Sequence, residues 1–181
     1  MTEGKKMWEL YPEHWKSESA YMSWIRGGLR RYLWSKNPVK LDFIKENRIK
    51  IPNPNPRGKV KEVWGGVCAL TGETFVIGGM EVDHKQGNHS LKTMDDLVPF
   101  FEGIVMVKKE DLQLVSKEAH KIKSYSEKEG VSFEQALAEK KAIKLIKDKV
   151  DKQFLIDHNV TPESTQARRR QQIVEVLMKE K

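Results

Sequence analysis

Near the N-terminus, apolar residues recur at the spacing of an amphipathic helix. Ser17 or Ser19 is suited to cap this helix. Gly27-Gly28 in its middle lowers the helical propensity and allows a kink or a break, because each glycine costs about 1 kcal/mol relative to alanine. Asn37-Pro38 then predicts the cap and first turn of a second, short helix. The apolar stripe of the first helix consists of Tyr21, Trp24, Ile25, Leu29 and Leu33.

A proline-rich segment follows, and the pattern after it is that of β-strands. Residues 51–58 carry prolines at alternating positions, which bars both a helix and a central strand, so we interpret the segment as a linker. A small helix is expected around residues 97–101. The predicted strands are residues 63–70, 75–77, 80–84 and 112–115, with a turn at 71–73 between the first two.

The C-terminal third has helical spacing throughout. A helix carrying His120 is followed by one that begins with a capping box at Ser132. Apolar residues keep helical steps behind this box as far as Phe154, which predicts a long helix. Thr161-Pro162 predicts the start of a last helix, which includes the run 168–170 of three arginines.

Composition and charge narrow the class of protein. No apolar run approaches the ~20 residues that span a bilayer, and no signal-peptide pattern precedes Trp8, so we expect a cytoplasmic protein with no membrane partner. The single cysteine, Cys68, excludes an intrachain disulfide and a multi-cysteine zinc cage. Residues 1–62 hold 14 Lys and Arg against 7 Asp and Glu, whereas residues 63–181 hold 19 of each. A basic segment attracts a polyanion such as DNA, although a solvated basic surface explains the charge equally well.

Three residues from two predicted elements have the chemistry of a metal-assisted hydrolase. Asp83 and His84 end a predicted strand, and His120 lies one turn into a predicted helix. A carboxylate and an imidazole can hold one divalent cation and leave coordination sites for water and phosphate. His84, on the other side of the strand from Asp83, can then take the proton of an attacking water. Taken alone, each of these residues is more often structural or solvated. Only the three together, in this order, indicate a hydrolase site.

The chain resembles the HNH endonucleases, most closely the free-standing enzymes of bacteriophages, over roughly residues 60–125. Two stretches carry the resemblance: Glu81-Val-Asp83-His84 and Asp111-Leu-Gln-Leu-Val-Ser-Lys-Glu-Ala-His120-Lys-Ile-Lys123-Ser124. It implies an α+β fold with a ββα-metal core. We expect this core at residues 59–130, with a basic helical segment and linker at 1–58 and a helical extension at 131–181.

The resemblance also implies a role for each matching residue. Asp83 and His120 would bind the cation, which we expect to be Mg²⁺ or, in its place, Mn²⁺. His84 would be the general base. Asp111 takes the position, usually asparagine, whose side chain ties down the loop that carries the base. Lys123 would approach a phosphate. Contacts with DNA are also expected from Lys85 and, because the N-terminal segment is basic, from Arg26, Arg30 and Arg31.

Many relatives hold a structural zinc with two Cys-x-x-Cys pairs. The matching positions here are Cys68 with Thr71, and Ser116 with Ala119. Because one cysteine remains, we expect no structural zinc, and packing must hold the unit instead.

Aspartate in place of asparagine at position 111 is a second departure from the family. A carboxylate can only accept hydrogen bonds, so activity is weakened or Asn88 takes over the tie. His89, next to it, is a weaker candidate ligand, because a loop histidine is more often only hydrated. The interval between His84 and Asp111 also exceeds that of the shortest relatives.

Aromatic and basic side chains outside this motif offer further contacts with nucleic acid. Four tryptophans lie among the N-terminal arginines and could stack on exposed bases, although aromatic residues at helical spacing are usually core. The arginine run 168–170 could grip phosphates, and a solvated face is as good an explanation. The tryptophans are Trp8, Trp15, Trp24 and Trp34.

The leading hypothesis is a metal-dependent endonuclease that nicks or cleaves DNA. We expect a monomer or weak homodimer in the cytoplasm, that of the host if a phage encodes it. The alternative from another class is a catalytically weak or inactive DNA-binding phage accessory protein with the same fold. An RNA nuclease is a third hypothesis.

Overall fold

The protein has an α+β structure, described by a computed structural model over residues 6–55, 59–87 and 90–180. Contacts divide the chain into two compact units, residues 1–116 and 117–181. This division differs from the predicted boundaries after residues 58 and 130. None of the described helices is both long and apolar enough to cross a membrane.

The first unit combines helices with two small antiparallel sheets, one of three strands and one of two. Short 3-10 turns lie at Ile77–Gly79, Met94–Asp96 and Lys109–Asp111. Its helices are α1 (Met7–Leu10), α2 (Glu18–Leu29), a π-helical segment (Arg30–Trp34), α3 (Pro38–Asn47) and α4 (Leu97–Val105). Its strands are β1 (Ile49–Pro52), β2 (Glu62–Val67), β3 (Thr74–Val76), β4 (Met80–His84) and β5 (Leu112–Ser116).

The predicted N-terminal helix is confirmed, and it continues through its two glycines. Ser17 Oγ accepts the N–H of Ala20 at 3.3 Å, which caps α2. Gly27 and Gly28 keep the helical backbone, because the missing side chains weaken the helix without blocking its hydrogen bonds. The irregularity comes later, where the Ser35 N–H donates to the Arg30 carbonyl in the π-helical pattern.

The core of the first unit includes part of the predicted stripe of α2, since Tyr21, Ile25 and Leu29 pack against it. Met22, which lay outside that stripe, is buried against Leu91, Phe100 and Ile104. Trp24, which lay in it, is 61% exposed. One helix face is wide enough for either choice, and only the position of α4 decides which side is covered.

The predicted linker begins as an edge strand, so its first part is a correction to the sequence interpretation. Ile51 pairs with Val63 and Pro52 with Glu62, which places β1 at the edge of the three-stranded sheet. Proline is tolerated there because an edge strand needs only one row of ladder hydrogen bonds. This pairing joins the basic third to the rest of the first unit. Residues 56–58 lie outside the described residues.

The second unit is helical, with Ala142, Leu155 and Ile173 in its core. The helix cap predicted at Ser132 is confirmed, because its Oγ accepts the Gln135 N–H at 3.1 Å. The described helices are α5 (Lys117–Glu129), α6 (Phe133–Lys147), α7 (Asp151–Asp157) and α8 (Gln166–Lys179).

Two predicted helix bounds in this unit are wrong. The long helix expected as far as Phe154 is split into α6 and α7, because Lys149 adopts a left-handed backbone conformation with φ 59°. The last helix starts later than Thr161-Pro162, since Thr165 Oγ1 accepts the Arg168 N–H and caps α8.

The arginine run on α8 stabilises this unit rather than presenting three cations to a ligand. Arg169 is buried, and its Nε donates to Asp151 Oδ2 at 2.6 Å. Its Nη1 also donates to the carbonyls of Glu163 and Ser164. Arg170 donates to Glu139 Oε2 at 2.8 Å.

Candidate active site

Two paired strands carry Asp83 and His84. β4 runs antiparallel to β5, with Asp83 opposite Gln113 and His84 opposite Leu112. Alternation along β4 buries Met80 and Val82 and leaves its last two residues half-buried. The strands predicted at residues 80–84 and 112–115 are therefore confirmed, and their pairing holds the candidate residues at a strand end.

The carboxylate of Asp83 is held by a side chain from the opposite strand. Gln113 Nε2 donates to Asp83 Oδ2 at 3.0 Å and lies 3.4 Å from the main-chain oxygen of His84. Directly opposed residues can bond in this way because their Cβ atoms are about 5 Å apart. The bond fixes the plane of the carboxylate. Sequence reasoning missed Gln113, although its place opposite Asp83 follows once the two strands are paired.

The imidazole of His84 is held by an aromatic ring. Trp34 stacks on it with ring centroids 4.9 Å apart and an interplanar angle of 25°. Lys40 Nζ lies 4.8 Å from the centroid of the same indole. Burial lowers the pKa of Lys40, while the charge of Glu81 acts in the opposite direction. Trp34, which the sequence suggested as a partner for DNA bases, is thus in contact with the candidate base.

The loop that follows His84 is tied down through the backbone. The Lys85 N–H donates to the Asp111 carbonyl at 2.8 Å. Because a main-chain oxygen makes this bond, aspartate in place of asparagine does not remove it. Residues 88 and 89 lie outside the described residues, so the alternative tie by Asn88 and the ligand role of His89 stay predictions.

A cavity of about 410 Å³ lies beside the His84 side chain. Its volume is in the range of ordinary small-ligand pockets, so it can admit a phosphate group with water. Lys85 brings a positive charge to its lining and Asp111 a negative one. The lining consists of His84, Lys85, Gln86, Gly103, Met106, Val107 and Asp111.

Three of the four positions matched to zinc ligands meet in the first unit. The Ser116 N–H donates to Cys68 Sγ at 3.3 Å, and the Thr71 side chain hydrogen-bonds to the same thiol. Burial raises the pKa of Cys68, but the hydrogen bonds outweigh it and leave this pKa below its ordinary value. A hydrogen-bonded cluster around one thiol therefore occupies these three positions.

The basic residues of the N-terminal helix differ in their surroundings. Arg26 Nη2 donates to Ser23 Oγ at 3.2 Å. Arg30 lies over the Phe100 ring at 5.6 Å, and its pKa is lowered by burial and by the charge of Arg26. Arg31 is exposed on the π-helical segment, and Lys85 is exposed after β4.

His120 and Lys123 belong to α5 of the second unit. His120 is its fourth residue and is half-buried. The side chain of Lys123 is only 12% exposed, and its Nζ lies 3.3 Å from Glu127 Oε1. His84, Lys85 and Asp111 line one cavity of the first unit, and Asp83 is the neighbour of His84 on β4 but is not part of that lining. A phosphate contact by Lys123 requires its ion pair with Glu127 to rearrange.

Asp83 is a donor of the first unit that could hold a divalent cation. Within residues 6–55, 59–87 and 90–180, no three His, Cys, Asp or Glu side chains are grouped to hold a metal ion. Mg²⁺ keeps several waters and commonly takes one or two protein carboxylates together with substrate phosphates. Asp83 offers a hard anionic oxygen of this kind, oriented by Gln113.

Comparison with known proteins finds no matching family model, no similar curated protein and no similar solved structure. The function must therefore be inferred from the residues of the site.

Proposed function

We propose that the protein is a divalent-metal-dependent DNA endonuclease of the HNH type. The carrying observation is the β4–β5 pair, which ends in a carboxylate oriented by Gln113 and an imidazole stacked on Trp34. β5 leads directly into α5, and α4 lies between β4 and β5 in the chain, so a ββα-metal core here would carry α4 as an insertion between its strands. The cluster of Cys68 with Thr71 and Ser116 also supports the likeness, because it occupies the zinc positions of relatives.

Each residue has a distinct task in phosphodiester hydrolysis. Asp83 and His120 are the proposed cation ligands, one an anionic oxygen and the other an imidazole nitrogen. The cation supplies positive charge that offsets charge developing on the phosphate and the leaving oxygen. His84 takes the proton of the attacking water, which suits an imidazole near neutral pH. Lys85, at the cavity beside His84, attracts the phosphate.

A non-catalytic DNA-binding protein of the same fold is the second candidate. The exposed carboxylate of Asp111 on the cavity lining repels phosphate. Lys123 forms an ion pair with Glu127, whereas in HNH endonucleases the corresponding lysine is expected to face DNA. Under this alternative the chain binds DNA without turnover.

Relaxation of supercoiled plasmid distinguishes the two candidates. Purified protein with Mg²⁺ or Mn²⁺ should nick the plasmid, and EDTA should prevent it. His84→Ala should lower the rate by about 10²- to 10⁴-fold, the usual contribution of a positioned base. The matched control is His158→Ala, which removes a histidine bonded to Phe154 and Glu180.

Each of the other outcomes of this assay supports one of the alternative functions or contradicts the proposed one. DNA binding without relaxation under either metal supports the non-catalytic protein and overturns the nuclease. Cleavage of RNA with no effect on plasmid supports the RNA nuclease. Equal activity of His84→Ala and the wild type overturns the role of His84 as the base.

A further inference from the structure

A notch bounded by two exposed aromatic side chains lies on α2 and the π-helical segment that continues it. Trp24 is 61% exposed and Tyr32 62% exposed. Gly27 and Gly28 lie about one turn after Trp24 and one turn before Tyr32, so all four share a face of the helix. A cavity of about 660 Å³ lies here, and its lining includes these four residues and Arg31.

The packing of the protein does not explain the two glycines. A Cβ atom at Gly27 or Gly28 would have no heavy atom of the described chain within 4 Å outside its own helix backbone and neighbours. Neither glycine has a positive φ. Each nevertheless costs about 1 kcal/mol in a helix relative to alanine. Glycine at such a position fits the close approach of a ligand to the backbone.

The charge around the notch indicates an anionic ligand. Residues 19–41 include five Lys and Arg and no Asp or Glu. Arg31 lines the notch, and Lys36 Nζ lies 6.0 Å from the centroid of the Tyr32 ring. A flat ligand with an apolar face and a negative charge uses both the aromatic walls and the cations. A nucleotide has these properties, whereas an apolar helix of a partner leaves the cations unused.

We propose that this notch binds unstacked bases of single-stranded DNA, with their phosphates toward Arg31. Trp24 and Tyr32 are eight residues apart, which is about 12 Å along a helix, and this leaves room for a base to stack against either ring. Aromatic side chains in a basic groove bind single strands with little sequence preference, because every base has a stacking face. The inference rests on the proposed nuclease function and names single-stranded DNA as part of its substrate.

Binding to two oligonucleotides tests the proposal without chemistry. Fluorescence anisotropy in EDTA compares a labelled oligothymidylate with an abasic oligonucleotide of the same length, which has the phosphates but no bases. Trp24→Ala, Tyr32→Ala and Gly28→Leu should each weaken oligothymidylate binding by about 5- to 150-fold, the range for loss of one stacked base. Binding of the abasic strand should stay unchanged.

Two controls separate the notch from general effects on the fold. Gly28→Leu fills the notch with a residue of higher helix propensity, so it should retain or raise the melting temperature while binding falls. Tyr11→Ala removes another exposed aromatic side chain, outside the notch lining, and should bind like the wild type.

Several results would overturn the proposal. Equal weakening on both oligonucleotides would mean that only phosphates are bound. Unchanged binding by all three variants would exclude the notch. Self-association of the wild type that Gly28→Leu abolishes, with DNA binding intact, would assign the notch to a second copy of the chain. Base-dependent binding without plasmid nicking would reject the nuclease and leave the notch standing.

Discussion

Trp34 stacks on His84 at a centroid distance of 4.9 Å, and the two residues come from distant parts of the chain. Trp34 is the last residue of the π-helical segment, a rare conformation that frequently occurs at functional sites. Because a π-helix takes more residues per turn than an α-helix, it changes the direction of the side chains that follow. The segment therefore aims an indole at the candidate base, and the stack restrains the plane of the imidazole.

Replacing Trp34 should impair turnover more than substrate binding. We expect Trp34→Ala to lower kcat by about tenfold or more with little change in KM, since a misplaced catalytic group can cost up to about 10²-fold. Trp34→Phe keeps a stacking ring and should retain most of the activity. Steady-state nicking rates test both, with melting curves to confirm folding. Equal losses in the two variants would show that the stack does not position His84.

The bond from Gln113 to Asp83 should matter for metal affinity. Gln113→Ala removes the donor that orients the carboxylate, and loss of such a partner typically weakens metal binding by about 10- to 100-fold. Titration of activity with Mg²⁺, or of binding with Mn²⁺, measures the change. Gln153→Ala is the matched control, because it removes another glutamine bonded to an aspartate, Asp157 at 2.7 Å. Equal metal affinity in the two variants would contradict the role of Gln113.

Asp111 offers a test of how the loop is tied. Its carbonyl accepts the Lys85 N–H, so Asp111→Asn and Asp111→Ala should both keep stability within about 0.5 kcal/mol. Both remove a negative charge from the cavity lining and should strengthen DNA binding at low salt, with a smaller gain at high salt. Urea unfolding and salt-dependent binding check these points. Destabilisation by alanine but not asparagine would mean that the side chain makes the tie.

Local patterns predicted most of the elements that carry the site. Alternation of apolar residues indicated β4 and β5, and the caps at Ser17, Asn37 and Ser132 marked helix starts that the structure confirms. These signals depend on neighbours in sequence. The edge strand β1 was not predicted, because the prolines of this segment argue against a strand. Whether a strand tolerates proline depends on its position in the sheet.

The supporting residues of the site could not be found in the same way. Asp83 and His84 stand out because acid and imidazole chemistry is visible in the sequence. A glutamine and a tryptophan are not recognisable as site residues from the sequence alone. Gln113 contacts Asp83 because of the strand register, and Trp34 contacts His84 because of the π-helical segment. Met22 rather than Trp24 is buried for a similar reason, since burial depends on where α4 packs.

The cluster around Cys68 predicts that a metal site can be built there. Thr71→Cys with Ser116→Cys would place three thiols where Cys68, Thr71 and Ser116 now meet. This variant should bind one Co²⁺ or Zn²⁺, with thiolate-to-cobalt charge-transfer absorption that the wild type lacks. Zinc at 100 times its Kd should stabilise the variant by about 2.7 kcal/mol. Absence of any cobalt band would argue against the match of these positions to the zinc ligands of HNH endonucleases.

The buried pair of Arg169 and Asp151 should control the stability of the second unit rather than DNA binding. Arg169→Met leaves the Asp151 carboxylate buried without its cation, which should cost about 3–5 kcal/mol. Arg168→Met removes the exposed neighbour and should change stability by less than about 0.5 kcal/mol. The double variant Asp151→Leu/Arg169→Met should recover much of the loss, because apolar residues often replace a buried ion pair without cost.

Urea unfolding measures the stability of all three variants, and the DNA affinity of each should be unchanged under conditions where it stays folded. A stable Arg169→Met that binds DNA more weakly would instead assign Arg169 to the phosphate contact.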